Sequence, residues 1–262
     1  MSQDKKVAGL LSQAAGRGTV PDESLVGLRD LGAEIANALG ISVDDVSASE
    51  VFLLTMVIDD SGSIRFAGNS DFVRDGHNFV LDELKKSNKG DDILVHTSYL
   101  NDGTLFPYCL LGTAKKLDQG NYNPGGSTPL YDQSLAVLGT VLAKEQEFAN
   151  QGVPVRAVTV IITDGADTSS RRRAAEVATL VRKMISAENH IVAFMGIDDG
   201  STDFREVARE MGISDEWILT PKNDGHSIRQ AFGVVSRISK SASQGAASFS
   251  AVAQTGFGAG IN

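Results

Sequence analysis

The spacing of apolar residues along this chain changes character near residue 50. Before that point it is helical. Val7 to Ala15 is a short amphipathic run broken by Gly16-Arg17-Gly18. A second run opens at Pro21-Asp22-Glu23, where acidic side chains suit the positive end of a helix dipole. It carries Leu25, Leu28, Leu31, Ile35 and Leu39 on one stripe and stops at Gly40. Residues 1–49 therefore read as a helical extension, either packed on the main body or serving as a docking element.

From Glu50 onward, short apolar runs alternate with longer amphipathic ones. The pattern predicts strands at 51–58, 92–99, 105–111, 156–163, 191–197 and 217–219, and helices at 70–86, 130–150, 169–187, 202–211 and 227–240. Runs such as Val158-Thr159-Val160-Ile161-Ile162 lack a polar face, so those strands are buried on both sides. Asn101-Asp102-Gly103 between the second and third strands is a hairpin signal. The expected fold is a three-layer, doubly wound α/β domain over 50–240. Its sheet has about six strands, mostly parallel with one antiparallel edge strand, and helices cover both faces. Residues 241–262 are rich in Ser, Ala and Gly and carry no charged side chain. They read as a flexible tail punctuated by Phe249, Val252 and Phe257, or as a segment that orders on a partner.

Composition narrows the function classes. A net charge of -9 argues against nucleic acid or an anionic membrane surface as the main partner. No run reaches the length of a membrane span, and the first residues lead into no long apolar stretch, so a cytoplasmic protein is expected. The single cysteine, Cys109, reads as a small core residue. His77, His96, His190 and His226 show no metal-ligand spacing and are expected in structural or surface roles.

The chemistry lies where apolar strands end. Asp59, Ser61 and Ser63 form an Asp-x-Ser-x-Ser loop after the first strand. Thr128 lies in Gly126-Ser127-Thr128-Pro129, where the following proline holds it extended, and Asp164 ends the run Val160-Ile161-Ile162-Thr163. Hydroxyls and carboxylates are hard oxygen ligands suited to Mg²⁺ or a similar divalent ion. Thr128 also suits the N-cap of the helix that follows, and Ser127 is an alternative ligand. Asp60 falls outside the ligand pattern and is expected in solvent. The loops are expected at the surface, so replacing Asp59 would alter metal binding at little cost to the fold. Arg171-Arg172-Arg173 is expected to begin a helix on the same rim, with Arg172 and Glu176 paired at i,i+4.

Taken together, these three motifs resemble the metal-ion-dependent adhesion site of von Willebrand factor type A domains, and the resemblance covers roughly residues 50 to 240. It implies that Ser61, Ser63 and Thr128 bind Mg²⁺ (or Mn²⁺ or Ca²⁺) directly, and that Asp59 and Asp164 act through water. It also implies a protein partner that completes the ion's shell with Asp or Glu, often coupled to movement of the last helix, here 227–240. Intracellular members of this kind resemble adaptors and partner subunits of AAA+ ATPases, metal chelatases or stress and tellurite-resistance systems. A metal-dependent hydrolase is the weaker reading. The chain has no Gly-x-x-x-x-Gly-Lys-Ser/Thr loop, no Gly-x-Ser-x-Gly elbow and no Asp-x-Asp pair at the strand end. A binding module is expected rather than an enzyme.

Overall fold

The computed structural model describes residues 3–86 and 92–258. Six strands form one sheet: β1 (Val51–Ile58), β2 (Ile93–Tyr99), β3 (Thr104–Leu110), β4 (Val155–Thr163), β5 (His190–Gly196) and β6 (Ile218–Leu219). Their order is β3-β2-β1-β4-β5-β6, and only the β2–β3 pair is antiparallel. β1 and β4 are central and buried along their whole lengths. They pair in register with Ile58 opposite Ile162, so the loops after both strands leave the sheet at the same level.

Chain growth runs from β1 to β2 in one direction and from β4 to β5 in the other. Right-handed crossovers then put the connecting helices on opposite faces. α5 (Ser70–Lys85) packs with α9 (Gly225–Ala242), while α6 (Leu130–Ala149) packs with α7 (Ala174–Ser186). α5 and α9 approach so closely that a β-carbon on Gly76 would stand 2.1 Å from Phe232, so glycine is required at the crossing.

The N-terminal residues fold onto α6. Two helices stand where one was expected: α2 (Asp22–Asp30) and α3 (Gly32–Ala38), split at Leu31, whose φ of -93° and ψ of 10° leave the helical region. With α1 (Gln3–Gly16) they cover the outer side of α6, a local fourth layer. Leu28 and Ile35 close over Gly139, where a β-carbon would lie 2.7 Å from Leu28. Lys144 on α6 is wholly buried. It donates to Glu147 at 2.7 Å and to the Ile41 carbonyl, while Lys6 reaches Glu147 from α1.

One element was not expected and three expectations need correction. A short helix, α4 (Gly62–Phe66), follows directly from the loop after β1. The helix expected from 169 starts at Ala174, because the Asp132 carboxylate takes the backbone N–H groups of Arg171 and Arg172 and holds them in a loop. The tail is not free: α10 (Ala246–Thr255) buries Phe249, and Phe257 meets Trp217 edge-on at 5.2 Å. Residues 259–262 of that tail lie outside the described residues. Cys109 is half-buried on the edge strand β3 rather than inside the core. The remaining helix, α8 (Phe204–Glu210), is capped by Asp203, which accepts from the Glu206 N–H.

Candidate metal centre

The loops after β1 and β4 and the loop before α6 meet at the carboxyl end of the sheet. Ligand crevices of doubly wound folds lie at that end. The Asp59 N–H continues the ladder to the Ile162 carbonyl at 2.9 Å, which aligns the two loops. The Ser61 and Ser63 hydroxyls are 2.8 Å apart, and Ser63 donates to the Asp164 carboxylate at 2.6 Å. A β-carbon on Gly165 would stand 3.5 Å from both the Ser63 and the Thr128 hydroxyl oxygens, so Thr128 converges on the same spot. Asp59, Ser61, Ser63, Thr128 and Asp164 are thus brought together from three segments.

Asp59 is fully buried and holds the loop from beneath. One carboxylate oxygen accepts from the Ser61 N–H at 2.7 Å, and the other from the Thr163 hydroxyl at 2.5 Å. This corrects the expectation that Asp59 is dispensable to the fold. Thr128 is not the cap of the helix that follows it. The exposed N–H groups of Tyr131 and Asp132 both donate to the Ser170 hydroxyl at 3.0 Å, so α6 is capped from another loop. Thr168 fixes the Thr128 backbone through reciprocal bonds of 2.9 and 3.0 Å. The Ser127 hydroxyl turns to Ser169 and Asn101, away from the ligand role.

Asp60 is buried and lies nowhere near free solvent. Its carboxylate accepts from the N–H groups of Asn101 and Asp102 at 2.8 and 3.0 Å, tying the β2–β3 turn to β1. Tyr122 donates to the Asp59 carbonyl at 2.6 Å and stacks on Tyr99. Neither residue carries a signal in the sequence beyond its position beside a strand end or in a Gly-rich loop. Thr163 was legible in principle, as the polar residue closing an apolar strand. Arg172 pairs with Glu176 at 3.4 Å as expected and also with Asp30 of α2 at 2.8 Å.

Burial pushes the Asp164 carboxyl up to about 6, against the Ser63 hydroxyl and with help from the neighbouring Asp59 charge. Burial likewise raises Asp59 and Asp60. Neither Asp59 nor Asp164 forms an ion pair with a Lys or Arg among the described residues. The buried amide of Asn69 faces Asp164 and favours its ionised form, opposing the effect of burial. Two buried carboxylates without a cationic side chain, beside three converging hydroxyls, are a donor set that fits a hard divalent ion. Among the described residues no group of three or more His, Cys, Asp or Glu converges to hold a metal, so a metal held here would depend on the hydroxyls.

Three of the four histidines, His77, His96 and His190, are structural. His77 bonds Thr97 at 3.0 Å and His96 bonds the Phe106 carbonyl at 2.8 Å, and burial lowers both to about 4. His190 meets Glu145 at 2.9 Å.

A mostly parallel six-stranded sheet with one antiparallel edge strand, helices around it and a polar rim at the strand ends is a von Willebrand factor type A-like α/β fold. Among solved structures, the chain is similar to the pilus adhesin SpaC from Lactobacillus rhamnosus GG in its open conformation. The TM-score is 0.54 at 11% identity, over 74% of this chain and 30% of that one. The chain thus spans under a third of the adhesin. Looser likenesses join it to the SpRpn10 VWA domain (TM-score 0.45, 10% identity, 71% of this chain and 95% of that one) and to the manganese-loaded TRAP protein of Plasmodium vivax (0.44, 17%, 71% and 74%). At such identities likeness speaks to fold alone. No family model and no curated protein matches the sequence. No helix among the described residues is long and apolar enough to cross a membrane.

Proposed function

We propose that this chain is a protein-interaction module that captures a partner's carboxylate through a divalent cation held by Ser61, Ser63 and Thr128. The observation that carries this reading is the convergence of those three hydroxyls beside the buried, raised carboxylates of Asp59 and Asp164. The bound ion supplies a positive, oxygen-seeking centre that neutral ligands leave under-neutralised. Asp59 orients the Ser61–Ser63 loop through the Ser61 N–H, and Thr163 fixes Asp59 in turn. Asp164 positions the Ser63 hydroxyl. Thr168 and Ser170 hold the Thr128 segment without occupying its hydroxyl. Mg²⁺, Mn²⁺ and Ca²⁺ all suit such oxygens, and an adaptor role within an intracellular assembly, with an AAA+ ATPase as one class of partner, is compatible with it.

Titrating the full chain with a blocked aspartate peptide, in Mg²⁺ and in chelator, tests the reading. Binding should need the metal, should vanish with the matching asparagine peptide, and should be lost in Thr128→Ala. Metal-independent binding, or equal binding of the asparagine peptide, would overturn it.

A further inference from the structure

We propose that the open face of Phe66 is a second contact surface beside the hydroxyl cluster, which takes a large apolar side chain adjoining the partner's carboxylate. The inference rests on the carboxylate reading above and adds the chemistry of the neighbouring residue. Three large apolar side chains are exposed among the described residues: Val26, Phe66 and Phe79. Phe66 is the most open, 82% exposed, and it stands on α4, the helix that grows straight out of the metal loop.

One edge of the ring faces the backbone at Gly62. Its Cε2 atom lies 3.3 Å, and the Gly126 carbonyl oxygen 3.6 Å, from the point where a β-carbon on Gly62 would stand. Gly62 sits between the two ligand serines, and Gly126 lies two residues before Thr128. The ring edge therefore lies beside Gly62, in the loop that carries the Ser61 and Ser63 hydroxyls, and the Gly126 carbonyl approaches the same glycine. A β-carbon at 62 would make a close contact with this edge of the ring. Arg65 adds charge: its guanidinium carbon is 5.2 Å from the ring centroid, and it forms no ion pair among the described residues. A cation on the rim of a chain with net charge -9 favours the approach of an acidic segment. An exposed aromatic anchor beside a charge-capturing centre is the arrangement of an interaction hot spot. The occupant that fits is an extended protein segment bearing Asp or Glu next to an aromatic or long aliphatic residue.

Blocked tripeptides Gly-Asp-Gly, Phe-Asp-Gly, Gly-Asp-Phe and Gly-Asn-Phe, titrated into the full chain in saturating Mg²⁺ and followed by amide NMR, test this. At least one of the two peptides pairing Phe with Asp should bind the wild type about tenfold tighter than Gly-Asp-Gly, the worth of burying much of an aromatic side chain. Phe66→Ala should erase that advantage and leave Gly-Asp-Gly binding as before, and Phe66→Tyr should retain it. An advantage that is absent in the wild type, or that survives Phe66→Ala, overturns this inference and leaves carboxylate capture standing. Equal binding of Gly-Asn-Phe and Gly-Asp-Phe overturns carboxylate capture, and this inference with it. Sedimentation that shows a wild-type dimer dissociated by Phe66→Ala would assign the ring to a second copy and overturn the peptide assignment.

Discussion

Asp59 and Asp60 are adjacent in sequence, yet they serve different neighbours at the sheet's end. Asp59 braces the serine loop, whereas Asp60 accepts two backbone N–H groups from the β2–β3 turn. Truncating Asp60 would leave those two partly buried donors without their acceptor and empty a buried carboxylate site. Asp60→Ala should therefore cost about 2–4 kcal/mol by denaturant unfolding. Ser63→Ala, which removes a hydroxyl at the rim, should cost about 1 kcal/mol or less. Equal costs would mean that Asp60 does not carry the turn. The difference between the two aspartates was not legible from sequence, because a strand end does not reveal which carboxylate meets a distant hairpin. The grouping of the five motif residues was legible, because their three segments follow two apolar strands or precede a proline.

The histidines of α5 and β2 give the fold a pH dependence of known sign. His77 and His96 are held neutral by burial, with folded values near 4 against an ordinary 6.5. Between those values the unfolded chain binds more protons than the folded one, so stability falls as pH drops from about 6.5 toward 4. From pH 7 to pH 5 each histidine should cost about 2 kcal/mol. The raised carboxylates Asp59, Asp60 and Asp164 act in the opposite sense. The clean readout is thus a comparison: the pH slope of His77→Gln should be shallower than that of wild type by that amount, and parallel slopes would refute it. α6 makes a second element-scale case. Its buried Lys144 leans on Glu147, so Glu147→Ala should destabilise by about 3–5 kcal/mol, and a neutral outcome would show that Lys144 finds another partner. The alternation of strand and helix was readable because α5, α7 and α9 each have one apolar side, whereas α6 is buried nearly all round between the sheet and the N-terminal helices. Helix starts were less so: Ala174 begins α7 because Asp132, far away in sequence, takes the two preceding N–H groups.

At the scale of the whole molecule, the segments at both ends of the chain are packed against the sheet domain. The composition of 241–262 suggested a free tail, since Ser, Ala and Gly bury little surface. Phe249 nevertheless finds a closed site, and with Val252 and Phe257 it anchors a ten-residue helix. Phe249→Ala should lower stability by about 3 kcal/mol, and an unchanged melting temperature would mean the helix is not docked in solution. Metal binding should survive this change, because Phe249 lies outside the site. The account as a whole stands on the hydroxyl cluster. The most direct test is isothermal titration of Mg²⁺ and Mn²⁺ into the full chain and into the Ser61→Ala/Ser63→Ala double variant. Saturable binding by the wild type, lost in a double variant that still unfolds cooperatively, is the predicted result. Equal binding by both proteins would place the metal elsewhere and contradict the account.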